Sequence, residues 1–262
     1  MFRYFGFGSN LDITSLRAKG VHPTRSRSAT LPGWRLTFNV RHFFDHEGGV
    51  GNIVPSDDPD ARVLGVLHDC PDEALPALDE AEACGVGYDR IEVVVQTPDG
   101  PATAFAYTGR PAFLDDDCLP SRRYLNILIR GARRARLDPD YVAALERQPV
   151  LAVEHAPPFE PPSGTYPNFD AESLARHPSC TALWGAVFDM SGARPTHDFL
   201  KGLFGGRDMT LFHLRRMDTS DGTETLDDLR EDRLDPAQRQ YLNDYLHQYA
   251  REYRYVGHFD YH

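Results

Sequence analysis

Apolar residues alternate with polar ones, or run unbroken for a few positions, at residues 3–8, 34–40, 63–68, 91–97 and 103–107, which predicts β-strands there. The last two flank Thr97-Pro98-Asp99-Gly100, where proline presets one backbone angle and glycine accepts a positive one, so a hairpin is expected. Helical spacing occupies residues 11–19, 72–83 and 121–136, the last opening on Ser121 as an N-cap. Strands interleaved with helices in this way predict an α+β fold. Further along, strands are expected at 182–190 and 209–217, with a helix after Pro195 and a long helix near the C-terminus. Asp235-Pro236 supplies that last helix with an N-cap and a proline at its first position. Tyr241, Leu242, Tyr245, Leu246, Tyr249 and Tyr253 then recur every three or four residues, a stripe that reads as core or interface.

Pro157-Pro158-Phe159-Glu160-Pro161-Pro162-Ser163-Gly164 disfavours helix and predicts an extended connector. The expected organisation is therefore a domain over 1–154, a proline-rich linker over 155–167 and a smaller α/β extension over 168–262. The 262 residues can bury a core without disulfide staples, and 41% hydrophobic with 11% aromatic content excludes a disordered chain. A net charge of −11, with acidic residues in excess on both sides of Asn168, argues against nucleic acid and against anionic membrane surfaces as partners. Cys70, Cys84, Cys118 and Cys180 lack the paired spacing of zinc or dithiol sites, and isolated thiols suit a reducing compartment. With no long apolar segment in the chain either, a cytoplasmic location is expected.

The familiar catalytic signatures are missing: no G-x-S-x-G elbow, no Walker loop, no dinucleotide fingerprint and no H-E-x-x-H helix. Two segments carry chemistry instead. In Tyr4-Phe5-Gly6-Phe7-Gly8-Ser9-Asn10-Leu11 an apolar strand breaks into Gly-Ser-Asn and then a helix start, which makes either an anion cradle of bare N–H groups or a plain capped turn. In Leu75-Pro76-Ala77-Leu78-Asp79-Glu80-Ala81-Glu82, helical geometry aligns Glu82 with Leu75 and Leu78 on the apolar face. An acid aimed inward there is a candidate general base, provided the helix does not fray before reaching it.

Taken in order, these segments resemble the gamma-glutamylcyclotransferase family over residues 1 to about 147. Tyr4 to Leu11 is similar to the family's Y-G-S-N-L signature, Val63-Leu64-Gly65-Val66-Leu67 to its central strand, and Leu78-Asp79-Glu80-Ala81-Glu82 to its acidic helix end. Gly87-Tyr88 and Pro120-Ser121-Arg122-Arg123-Tyr124 follow at matching places, with Gly131-Ala132 and Tyr141 beyond. The resemblance implies a mixed β-barrel fold with Glu82 as catalytic acid/base. It also implies that Tyr4, Phe5, Gly6, Phe7, Gly8, Ser9 and Asn10 bind substrate, and that Tyr88 and Tyr124 line the pocket. The implied reaction closes a small-molecule gamma-glutamyl amide to 5-oxoproline and releases its amine, with no cofactor and no metal. There are two departures: Phe7 stands where the family has tyrosine, and Ala83-Cys84-Gly85-Val86-Gly87 intervenes where glycine often follows the acid. A rival reading keeps the pocket without the reaction, as a small-carboxylate or protein-binding module. For residues 168–262 two roles stay open, a wall over the pocket or a homodimer surface built on the tyrosine helix.

Overall fold

A computed structural model describes residues 1–152 and 154–262, which form two compact units. In the first, five strands close into a barrel in the order β1 (Phe2–Gly6), β5 (Arg62–Cys70), β2 (Arg25–Pro32), β6 (Tyr88–Thr97) and β7 (Gly100–Gly109). Neighbours are antiparallel except at the closure, where β7 runs parallel to β1 with Phe105 opposite Tyr4. Strand alternation fills the interior with Phe5, Leu31, Val63, Leu67, Val93 and Val95, while β7 contributes only alanines, Ala102, Ala104 and Ala106, which leave room for the larger rings opposite. The expected hairpin forms: β6 and β7 join through Pro98-Asp99, and Gly100 takes a φ of +108°.

Two strands escape a sequence-only reading. The polar alternation of β2 becomes a strand because Ala29 and Leu31 enter the barrel while Arg27, on the same face nearer the strand's start, meets Asp69 of β5 at 2.5 Å. The glycine-rich β4 (Gly49–Pro55) pairs with β3 (Trp34–Arg41) as a separate two-stranded sheet.

Helices α1 (Ile13–Ala18), α2 (Leu75–Ala81), α3 (Arg122–Arg134) and α4 (Pro139–Glu146) complete the unit. Ser121 caps α3 by accepting from the Tyr124 N–H, and the helix buries Tyr124, Leu125, Leu128 and Ala132 against Leu11, Phe38 and Val66. Contact is closest at Gly131, where a Cβ would lie 2.5 Å from the backbone of Leu11 and Asp12. Only glycine lets the helix approach the loop after β1 this closely.

The second unit is a four-stranded sheet ordered β8 (Asn168–Phe169), β11 (Arg254–Phe259), β10 (Ala186–Asp189) and β9 (Cys180–Leu183). It is accompanied by α5 (Ala171–Ala175), α6 (Asp198–Phe204), α7 (Thr210–Leu214), α8 (Leu226–Arg230) and α9 (Pro236–Glu252). Three expectations are corrected here. The run 182–190 is a hairpin, because Trp184 and Gly185 both take positive φ and reverse the chain. The run 209–217 is helical around α7: Asp208 accepts the Thr210 N–H, and Thr210, Leu214 and Met217 are buried at helical rather than alternating spacing. The tyrosine stripe stops being helical at Tyr253, whose extended backbone leads into β11. Leu242, Tyr245, Leu246 and Tyr249 are core, with Tyr249 fully buried and its ring edge-on to Phe188, while Tyr241 is half-buried. The proline-rich segment lies along α9, where Asn243 donates to the carbonyls of Ala156 and Pro157 and accepts from the Phe159 N–H. Side chains thus satisfy a backbone that proline keeps from pairing with itself.

Candidate active site

Beyond β1 the chain turns through Phe7-Gly8 into a short 3₁₀ turn at Ser9–Leu11, and then Asp12 caps α1 by accepting from the Thr14 N–H. Strand alternation sends Phe5 into the barrel and Tyr4 to its outer face, towards Tyr107 and His68. Of the loop residues singled out in the sequence, Tyr4, Phe7, Gly8, Ser9 and Asn10 line one cavity, together with Glu82, Tyr88 and Tyr124. Phe5 and Gly6 are not among the lining residues.

Glu82 is not inside a helix. α2 ends at Ala81, and Glu82 is its C-cap, after which Ala83 turns the chain with a φ of +49°. The carboxylate still points inward, with its side chain 14% exposed. Its Oε1 accepts from Asn10 Nδ2 and from Lys19 Nζ, both at 2.8 Å. Neither fraying into solvent nor continuing the helix describes it: the terminus is tied down by partners from the segment that follows β1.

Asn10 is the centre of this arrangement. Its amide nitrogen also donates to the Tyr4 hydroxyl (2.7 Å), and its Oδ1 accepts from Lys19 (2.8 Å). Its backbone carbonyl is held by His68 Nε2 at 3.0 Å. A carbonyl only accepts, so Nε2 carries the proton and Nδ1 receives the Ser26 hydroxyl at 2.8 Å. Burial lowers the His68 pKa to about 4, against a weaker opposing pull from the Asn10 carbonyl. His68 is therefore neutral in the folded protein. Because the unfolded chain binds its proton near the ordinary value of 6.5 and the native state does not, this group contributes no penalty above pH 6.5 and an increasing one as pH falls to about 4. Each pH unit in that window is worth about 1.4 kcal/mol. Urea titrations at pH 7 and pH 4.5 are expected to show a His68→Gln variant losing less stability on acidification than the parent; equal losses would refute the assignment.

On the opposite wall, Tyr124 from α3 accepts the Gly51 N–H from β4 at 2.8 Å, and the Ser9 amide faces the same oxygen. Tyr88 donates to the Gly51 carbonyl, also at 2.8 Å. A Cβ at Gly51 or Gly8 would stand 2.8 or 2.7 Å from the Tyr124 oxygen, so a larger residue at either position would displace that hydroxyl. Burial pushes the Tyr124 phenol up to about 12 and the Tyr4 and Tyr88 phenols well above their ordinary value, so all three stay protonated near neutral pH. The cavity is also lined by Tyr107, whose proton is committed to Asp79 at 2.5 Å.

The chemistry available is that of a carboxylate facing neutral phenols in a largely desolvated pocket. Residues 62–145 match the AIG2-like family. The gamma-glutamyl cyclotransferase gliK of Claviceps purpurea is 29% identical over 156 residues, 57% of this chain and 67% of that protein. A solved gamma-glutamyl cyclotransferase superposes with a TM-score of 0.52 at 27% identity, over 58% of this chain and 90% of its own. Over its first unit the chain is thus similar to gamma-glutamyl cyclotransferases in both sequence and fold. An uncharacterized Homo sapiens protein of known structure is similar to the same degree as that solved member, at 28% identity and a TM-score of 0.51 over 58% of this chain and 90% of its own. The stretch matched by the AIG2-like family contains Glu82, Tyr88 and Tyr124.

Lys19, Gly51, Tyr107 and His68 went unnoticed in the sequence. Only Gly51 carried a local signal, since the run Gly48-Gly49-Val50-Gly51 marks a strand that another group approaches closely. The rest are recognisable only once the strands are in register.

Proposed function

We propose that the first unit converts gamma-glutamyl amides to 5-oxoproline and a free amine. The observation that carries this reading is the convergence of Glu82, Asn10, Tyr4 and Tyr124 on one cavity, from segments far apart in the chain. The substrate brings its own nucleophile, the α-amine, so the site needs a base, donors for the carbonyl oxygen and a folded conformer. Holding that conformer recovers up to about 7–11 kcal/mol of the barrier. Glu82 takes a proton from the α-ammonium, and the freed amine attacks the γ-carbonyl to form the ring C–N bond. The developing oxyanion is met by phenol protons. Glu82 returns its proton to the leaving nitrogen as the amide bond breaks, then takes the second proton from the ring nitrogen and passes it to the departing amine. Two protons leave the α-nitrogen, two arrive on the leaving nitrogen, and Glu82 ends as the carboxylate it began as.

The cavity, about 30 Å³, is the size of one water molecule. Four free thiols among the described residues accord with a reducing, cytoplasmic setting for the reaction. No helix among the described residues is long and apolar enough to cross a membrane. The test is mass spectrometry for 5-oxoproline after incubating the full chain with gamma-glutamyl dipeptides and gamma-glutamyl amines. Product from at least one class is expected, and its absence across the panel would move the assignment to a binding module.

A further inference from the structure

We propose that Lys19 is the positioning residue that sets the hydrogen-bond polarity of this site, leaving Glu82 Oε2 as the proton-accepting oxygen and Tyr4 O–H as a donor to the reacting carbonyl. The inference deepens the cyclisation reading and rests on it for the role of the carbonyl.

An ammonium can only donate, so the direction of every bond that follows from it is fixed. Lys19 Nζ, on a side chain 4% exposed, reaches Asn10 Oδ1 and Glu82 Oε1 at 2.8 Å and Ser9 Oγ at 3.4 Å. Contact with Oδ1 removes the usual freedom of an amide to flip: the Asn10 nitrogen has to face the other way. Its two hydrogens are then spent on Tyr4 Oη and Glu82 Oε1. Two consequences follow by elimination. Glu82 Oε1 holds two donors, one per lone pair in the carboxylate plane, while Oε2 accepts none from the described residues, so proton transfer falls to Oε2. Tyr4 Oη is already an acceptor, and no acceptor among the described residues takes its own proton, although the residue is only 3% exposed and lines the cavity. Burial and the nearby Glu82 charge keep that phenol protonated. The donor and the base thus face the same small space, and one buried cation at the C-cap of α1 keeps them from exchanging roles.

The lysine also acts on the base directly. Its ammonium lies 2.8 Å from the carboxylate, and a variant without that cation loses a contact that only the ionised form enjoys. Lys19→Met preserves the length of the chain and removes the charge. Carbon-13 NMR of glutamate-labelled full chain, with the Glu82 carboxylate signal assigned by its loss in Glu82→Gln, reads the midpoint without any substrate. In Lys19→Met that midpoint is expected to lie above the parent's, because the cation facing the carboxylate is gone. An unmoved midpoint in a folded variant overturns the proposal. On a gamma-glutamyl substrate, Lys19→Met is expected to lower kcat by about tenfold or more with little change in KM, and to move the acidic limb of kcat/KM upward with the NMR midpoint. Tyr4→Phe is expected to cost on the order of 100-fold in kcat, the scale of one lost oxyanion donor, without moving that limb. Retention of parental kcat by Tyr4→Phe overturns the donor assignment. A parent that forms no 5-oxoproline, while its Glu82 midpoint still depends on Lys19, sinks the cyclisation reading and leaves the Lys19 polarity standing.

Discussion

Glu82→Gln is expected to reduce 5-oxoproline formation by about 10²- to 10⁴-fold while the protein stays folded. The range is that of a positioned general acid/base, because the amide keeps the shape of the side chain and loses its capacity to accept and return a proton. The local bonds explain why the fold should tolerate the change. The amide oxygen of glutamine can still accept at the Oε1 position from Asn10 Nδ2 and Lys19 Nζ, each 2.8 Å away in the parent. The new NH₂ group takes the Oε2 position, where the described residues place no competing donor. Loss should fall on kcat, since the group acts on protons that move only as the reaction proceeds. The measurement is single-substrate kinetics with product quantified by mass spectrometry, alongside thermal unfolding of both proteins. A variant within tenfold of the parent would show that Glu82 is not the base, and attention would pass to the phenols around it.

Asp12→Ala is expected to destabilise the first unit by about 3–5 kcal/mol, the cost of removing one partner from a buried ion pair. Asp12 is fully buried, and its carboxylate meets Arg130 and Arg134 from α3, the latter at 3.1 Å, while one oxygen caps α1 through the Thr14 N–H at 2.8 Å. Alanine removes the cap, worth about 1 kcal/mol, and leaves Arg130 facing a buried site without its anion. For a unit of this size the fall in Tm should be on the order of 10 °C. Asp12 follows Asn10 by two residues, so residual activity should decline with the fraction folded. Differential scanning fluorimetry of the full chain checks the first part; a fall of only two or three degrees would mean that α3 holds the loop by apolar packing at Leu11 and Gly131 alone.

The two variants separate the chemistry of the site from the scaffold that holds it, and the sequence revealed these two layers unequally. Glu82 and the loop around Asn10 stood out because an acid on an apolar face and a Gly-Ser-Asn break are local anomalies. Asp12 did not, since an aspartate before a helix reads as a cap and nothing nearby announces arginines 118 and 122 residues away. Reading Glu82 as part of a helix was natural from its spacing to Leu75 and Leu78, yet α2 stops one residue earlier.

Local physics settled what local sequence could express: the β6–β7 hairpin through its proline and glycine, α3 through the Ser121 cap, and α9 through Asp235, Pro236 and its apolar stripe. In these segments propensity, capping and burial all favour the same structure, so no distant partner is needed to choose it. The barrel's closure, the strand character of β2 and β4 and the helical turn of α7 were decided by tertiary pairing, because polar or glycine-rich runs become strands only when a neighbour supplies the hydrogen bonds. The site belongs to the same class. Lys19 meets Glu82 across 63 residues and Tyr124 meets Gly51 across 73, contacts that exist only after the strands are in register. Residue types along the chain determined which groups were available for chemistry; the closed barrel determined which of them face one another.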